Sequence, residues 1–441
     1  MNAGFGKVEI TPRVGVELCG FGPYLNRHST RVVEPLFARA MAVELGDSRW
    51  VLISCDLLGV SARLTQQIRA RVRQATSLRD DQIMVHATHT HSGPCTIPEL
   101  IGWGDPDDPY LEILPRLIAA AGIQAVRSVA PASLHHAEVP AAGFSYNREF
   151  PDPGRTNELV MDWQWQTDHP EETDTSAHVL RIDRVGQCAG FLTYFSCHPV
   201  VCCERNTEIH GDFVGCATNR IEQEYPGAVG LFLQGAHGDL NSNYVHGLPA
   251  QSLVALERFS ERFAGVIRAG LQHAQPAPVT KISSVLGEEP YTQEKFSEPA
   301  LREQLDGYAV TLAAADSRFE DRDLRMAMVY TKGLRKILAD GQGQSPLPVQ
   351  SFRLGPLTFT GLPLELMHRI KRKFQAELGD KALLLSVTNG LLGYAPLREY
   401  YQVPTIRYAV RTVPLMLGRR PFTENFEDEV LAAALQVTRK I

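Results

Sequence analysis

Ile83-Met84-Val85-His86-Ala87-Thr88-His89-Thr90-His91-Ser92-Gly93-Pro94 carries an apolar run into three histidines and then into a Ser-Gly-Pro stop. In an extended strand alternate side chains share a face, so His89 and His91 are expected to point the same way and to meet one small object such as a metal. On its own such a pair is weak, because histidines at strand ends often only hydrogen-bond a loop backbone. His198 strengthens it. Gly190-Phe191-Leu192-Thr193-Tyr194-Phe195 also runs apolar and leads to Cys197-His198-Pro199, and a zinc site draws ligands from distant segments to within about 2 Å of one ion.

The same pattern recurs along the chain. Trp50 to Cys55 leads to Asp56, Val229 to Gln234 leads to Gly235-Ala236-His237-Gly238-Asp239, Leu357 to Thr360 leads to Gly361-Leu362-Pro363-Leu364-Glu365, and Leu383 to Val387 leads to Thr388-Asn389-Gly390. Open α/β sheets place their sites outside the carboxyl ends of strands, and polar residues after successive apolar runs are what such a sheet predicts. Stretches with apolar residues at helical spacing lie between the runs, at 62–75, 252–271 and 365–378. The expected fold class is α/β: a central mixed or mostly parallel sheet flanked by helices, with the site at the carboxyl ends of the strands. Residues 1–441 read as a single domain, with 165–176 and 275–300 as surface excursions.

Composition narrows the partners. The 441 residues are 44% hydrophobic and 21% charged, with a net charge of -6, values of an ordinary globular enzyme. No basic run or aromatic-basic interleaving suggests nucleic acid. No apolar run approaches the roughly 20 residues of a spanning helix. The N-terminus lacks the basic start, apolar core and cleavage site of a secretory signal. Eight cysteines without a Cys-x-x-Cys pair fit buried free thiols in a reducing cytoplasm, so a cytoplasmic location is expected.

Two or more nitrogen ligands call for an acid. Glu365 follows an apolar run at the start of the 365–378 stretch, where the positive end of a helix would stabilise a carboxylate. Asp56 and Asp239 compete for that role or could orient a histidine from behind, and spacing does not rank them.

The chain resembles the neutral/alkaline ceramidase family, zinc amidases that hydrolyse the amide of N-acyl sphingosine. The matching residues are Gly6-Lys7-Val8-Glu9-Ile10-Thr11-Pro12, Pro35 to Ala40, His89-Thr90-His91-Ser92-Gly93-Pro94, Asn147-Arg148, His198-Pro199, Gly211 to Gly215, Gly238-Asp239, Pro363-Leu364-Glu365, Asn389 to Tyr394 and Arg398-Glu399-Tyr400-Tyr401. The likeness extends over nearly the whole chain, apart from the family's secretion signal and C-terminal immunoglobulin-like domain, which have no counterpart in it. It implies that His89, His198, Glu365 and Tyr394 bind one zinc ion per chain. His91 matches a histidine beside the metal that contacts the reacting centre, and Arg148 an arginine near the substrate carbonyl. Tyr408 aligns with a later family tyrosine only across a two-residue insertion.

What the resemblance implies is a zinc-dependent hydrolase that cleaves a C–N amide bond with metal-activated water. Its partner would be a small or amphiphilic N-acyl amide, without nucleic acid, and an oligomer of identical chains is compatible. An ester or lactone hydrolase on the same site, a barrel amidohydrolase, or a metal-binding homologue without activity are the rivals. The barrel enzymes place their His-x-His pair on the first strand, whereas here a strand and helix precede it. The chain also departs from the family. Asn241 stands where ceramidases carry a serine after Gly-Asp-x, His210 and His237 replace small or hydroxyl residues, and Cys95-Thr96 replaces glycines. These polar changes point away from a membrane-embedded lipid, and the sequence assigns no role to His210, His237, Asp56 or Asn241. His86 reads as a buried support.

Overall fold

The computed structural model describes the chain apart from residues 23–25, 100–102, 153, 157, 159–161, 163–164, 315–321, 342–344 and 405. It is a mixed α/β fold in which strands and helices alternate, but no one sheet is central. Two five-stranded sheets and one four-stranded sheet carry most of the strands. The first runs Ile83–Ala87, Ser48–Cys55, Phe37–Leu45, Asn2–Glu9, Ala130–Pro131; the second Val229–Gln234, Gln187–Phe195, Ser176–Arg184, Ser133–Pro140, Gln275–Pro276. The third runs Ile282–Glu289, Leu347–Leu354, Leu357–Gly361, Ala382–Leu385. Each is antiparallel except for one parallel pair at one edge: 48–55 with 83–87, 187–195 with 229–234, and 357–361 with 382–385.

Alternation along the strands decides what each face touches. Trp50, Leu52 and Met84 join Leu192, Leu231, Phe352, Phe359 and Leu383 in one buried cluster drawn from all three sheets. The intervening Val51, Ile53, Ile83 and Val85 pack instead with the helices Ala62–Thr76 and Asp108–Arg127. Likewise Phe191 and Phe195 share a cluster with Asp212–Glu224 and Pro249–His273, while Leu347, Val349 and Leu384 do so with His368–Leu378 and Phe426–Thr438. Across the shared interior the Trp50 ring stacks on Phe352 at 4.7 Å, and its indole N–H donates to the Arg353 carbonyl at 3.2 Å.

Local chemistry fixes the ends of these elements. Ser61 caps the 62–76 helix by accepting from Leu64 N–H at 3.0 Å. Among the described residues no helix is long and apolar enough to cross a membrane. All eight cysteines are free thiols, and all but Cys188 are buried.

Two local expectations are corrected. The strand at the histidine cluster stops at Ala87, and His89 has φ of 70°, so His89 and His91 are not alternate residues of one strand; a turn brings them together. The helix expected from Glu365 begins at His368. Glu365–Leu366 forms a two-residue strand parallel to Tyr394–Ala395, and Glu365 N–H donates to the Gly393 carbonyl at 2.9 Å. That long-range pairing outweighs the helical pattern.

Candidate metal centre

Four side chains from separate segments meet in the interior. His89 Nε2 and His198 Nε2 lie 3.4 and 3.3 Å from Glu365 Oε2, and His237 Nε2 lies 3.9 Å from the same oxygen. None of the four residues is more than 1% exposed. The opposite nitrogen of each ring faces a backbone carbonyl: His89 Nδ1 that of Leu58 at 2.7 Å, His198 Nδ1 that of His237 at 2.7 Å, and His237 Nδ1 that of Gly235 at 3.1 Å. A carbonyl only accepts, so each Nδ1 carries the proton and each Nε2 keeps its lone pair. Ligating histidines are held in this way by an outer partner.

The inner atoms lack partners of their own. His89 Nε2, His237 Nε2 and both carboxylate oxygens of Glu365 have no hydrogen bond, and buried polar groups are rarely left so. Burial, with the neighbouring charges, holds His198 and His237 well below the usual imidazole range, in the neutral form a metal needs. Burial opposes ionisation of Glu365 as well, but its charged surroundings, Arg148 among them, hold its carboxyl down to about 2. Lone-pair nitrogens around an ionised, unpartnered carboxylate fit a cation, and borderline-soft divalent ions take this donor set.

The competing acids are engaged elsewhere. Asp56 Oδ2 accepts from Arg39 Nη1 at 2.7 Å and from Phe37 N–H at 2.9 Å, in a buried network with Glu222. Asp239 occupies the helix end that the sequence offered to Glu365: its Oδ1 accepts from His368 N–H at 2.8 Å, and Oδ2 from Asn147 Nδ2 at 3.1 Å. His86 spends both nitrogens, accepting from Gln234 N–H at 2.8 Å and facing Thr388 Oγ1 at 3.0 Å.

The remaining sequence candidates line one side of the cluster. The His91 ring lies 4.9 Å from that of His89 and 5.5 Å from that of His198, centroid to centroid, and has no hydrogen bond at either nitrogen. Phe21 packs edge-on against it at 4.9 Å. Gly20, with φ of 122°, permits that approach, since a Cβ there would sit 2.6 Å from His91 Nδ1. Arg148 donates from Nη2 to Tyr394 Oη at 3.0 Å and to the Gly238 carbonyl at 2.7 Å, and from Nη1 to Asn241 Oδ1 at 3.2 Å. Tyr394 stands beside Glu365 in the 365–366/394–395 pairing. The Tyr408 ring is 5.9 Å from that of Tyr394 and is 37% exposed, which makes it the outermost of these groups.

Among the described residues a second buried trio, Cys202, His210 and Asp212, also brings ligand-type atoms together. Its histidine is set differently: His210 Nδ1 accepts the Asp212 N–H at 3.1 Å, so that lone pair is already engaged and the ring proton sits on Nε2. A cavity of about 560 Å³ lies apart, with Arg69, Leu286, Ile337 and Arg419 on its wall and none of the clustered histidines.

His237 is the residue whose role the sequence missed; the only signal was its place after the 229–234 run, in the same pattern that marked His89 and His198. Asn241, also unassigned, turns out to hold Arg148.

Residues 1–248 match the family described as neutral/alkaline non-lysosomal ceramidase, N-terminal. The crystal structure of neutral ceramidase from Pseudomonas aeruginosa is similar with a TM-score of 0.72 at 20% identity, over 99% of this chain and 75% of that one. A ceramidase complexed with C2 gives 0.72 at 18% identity, over 99% and 76%. At such identities the structural likeness speaks for the fold, and the sequence match over more than half of the chain speaks for the family. The chain belongs to the neutral/alkaline non-lysosomal ceramidase family.

Proposed function

We propose that this chain is a zinc-dependent hydrolase that cleaves the C–N amide bond of an N-acyl substrate. The observation that carries the reading is the meeting of His89, His198 and Glu365 in one buried cluster with His91 beside it. In this reading His89, His198 and Glu365 hold the metal beyond the carboxyl ends of the three parallel strand pairs, where an α/β site belongs. When bound by such donors, zinc supplies an activated water at neutral pH and a Lewis acid for a carbonyl oxygen.

The chain's own residues do the rest. Burial keeps His91 neutral, well below its ordinary range, and neither ring nitrogen has a protein partner. It is therefore able to take a proton and pass it to the leaving amine. Burial works against the charge of Arg148, but Tyr394 and Glu149 raise its pKa and keep the guanidinium charged. Its bonds to Gly238, Asn241 and Tyr394 fix it in place, so it offers positive charge to an oxyanion without reorganising. Tyr408, the most exposed of the group, stands where a substrate would arrive.

The substrate class is an N-acyl amide, in keeping with the family and with a structural neighbour complexed with C2. Turnover of zinc-loaded protein on N-acyl amides of graded chain length, with matched esters alongside, tests the reading. Loss of bound zinc and of amide hydrolysis together in H89A and H198A is expected; retention of stoichiometric zinc by both variants, or no turnover by the loaded wild type, would overturn it.

A further inference from the structure

We infer that His237 is a protein ligand of the metal in this chain, so that the centre consists of His89, His198, His237 and Glu365. The inference rests on the metal reading above and departs from the ligand set that the family resemblance implies, in which Tyr394 is the fourth donor.

Three observations carry it. His237 is oriented as the other two imidazoles are, with Nδ1 held by a backbone carbonyl and the lone pair of Nε2 directed inward. Its ring lies 4.5 Å from the rings of both His89 and His198, centroid to centroid, so the three close around the carboxylate. The turn that bears it is tied to the strand that bears Glu365: Gly238 N–H donates to the Leu366 carbonyl at 2.8 Å, and a Cβ on Gly238 would lie 2.8 Å from the Glu365 carbonyl oxygen. Glycine at 238 thus allows the two ligand-bearing segments to touch.

The neighbouring side chains show what sets a ligand apart. His91 has no anchor on either nitrogen, and His210 spends its lone pair on the Asp212 N–H. The Tyr394 hydroxyl accepts from Arg148 at 3.0 Å. Three imidazoles and a carboxylate would hold the ion without it, with a fifth position open to the water that hydrolysis needs, and Tyr394 is left to work with Arg148 at the substrate. Exchange of a phenolate for a neutral imidazole also removes one negative charge from the shell, a set that cobalt, nickel and iron share with zinc.

The test uses full-length wild type, H237A, H237Q and Y394F, stripped with a chelator and titrated with Zn2+ and Co2+. The thermal midpoints of the stripped proteins report folding. Zinc affinity from competition with a chromophoric chelator, together with the Co2+ absorption bands, reports ligation. The expected result is a loss of zinc affinity of about 100-fold or more in H237A and H237Q, since even outer partners of a ligand are worth about 10- to 100-fold. The cobalt bands should change in these variants, whereas Y394F should stay within about tenfold of wild type. Wild-type affinity and unchanged cobalt bands in H237Q would overturn the assignment of His237 alone. A wild type that takes up no stoichiometric metal would overturn the reading of the whole centre.

Discussion

In the proposed reading Arg148 serves the reaction without touching the metal. It bridges Gly238, Asn241 and Tyr394, so its charge would stay fixed while a substrate carbonyl beside it reacted. R148M should retain the wild-type metal content and lower kcat by about 10²- to 10³-fold, the usual consequence of removing one oxyanion donor; atomic absorption and steady-state rates on one preparation check both halves. H91A should also keep its metal and lose about 10²- to 10⁴-fold in kcat, with the pH profile flattened where a proton is handed to the leaving group. Were H91A to lose its metal as well, His91 would be a ligand rather than a proton carrier. The sequence made His89, His91 and His198 legible because each lies within a few residues of an apolar run. Strand alternation is not what brings His89 and His91 together, since His89 bends in a left-handed turn that alternation does not foresee.

Elements carry a different kind of information. The apolar runs at 50–55, 190–195, 229–234 and 357–360 became strands because their faces are buried on both sides, and that burial is written in composition. The two-residue strand at Glu365 is not written there: it exists through Gly393 and Ser386, and the latter accepts Leu366 N–H at 3.1 Å. Asp239 could take the helix N-terminus only because the 235–239 turn packs against it. Such placements depend on residues 20 or more positions away, which local pattern does not encode.

The helix that follows, 368–378, is pinned by Lys371, whose Nζ lies 2.6 Å from Asp174 Oδ2 with both side chains no more than 7% exposed. Burial pushes the Asp174 carboxyl up, but Lys371 and His368 draw it below its ordinary value; burial pushes Lys371 down, but Asp174 raises it. An acid with a lowered folded pKa contributes stability above its unfolded value, about 3.9, and loses it as pH falls. A lysine with a raised one contributes below about 10.4 and loses it as pH rises. K371M leaves a buried carboxylate without its cation and should cost about 3–5 kcal/mol at pH 7. The deficit should shrink near pH 3, where the carboxyl takes up a proton; denaturant midpoints at the two pH values check this. An equal deficit at both would mean that Lys371 acts through packing of its stem.

At the scale of the whole molecule, the centre is a junction. His89 follows the edge strand of the first sheet, His198 and His237 follow the parallel pair of the second, and Glu365 follows a strand of the third. The sheets already share one apolar interior through Trp50, Leu192 and Phe352, but beside it stand four buried polar groups whose inner atoms have few partners. A cation among them would satisfy those atoms and cross-link all three sheets at once. Because such a site is assembled only in the folded chain, metal binding adds to folding stability by about 2.7 kcal/mol at free metal 100-fold above its Kd. Chelation should therefore lower the thermal midpoint by roughly 3 °C or more, and added Zn2+ should restore it, with H89A insensitive to both treatments. If metal content falls from one per chain to none while the wild-type midpoint stays fixed, the sheets are held by their apolar interior alone, and the centre contributes chemistry without contributing to the fold.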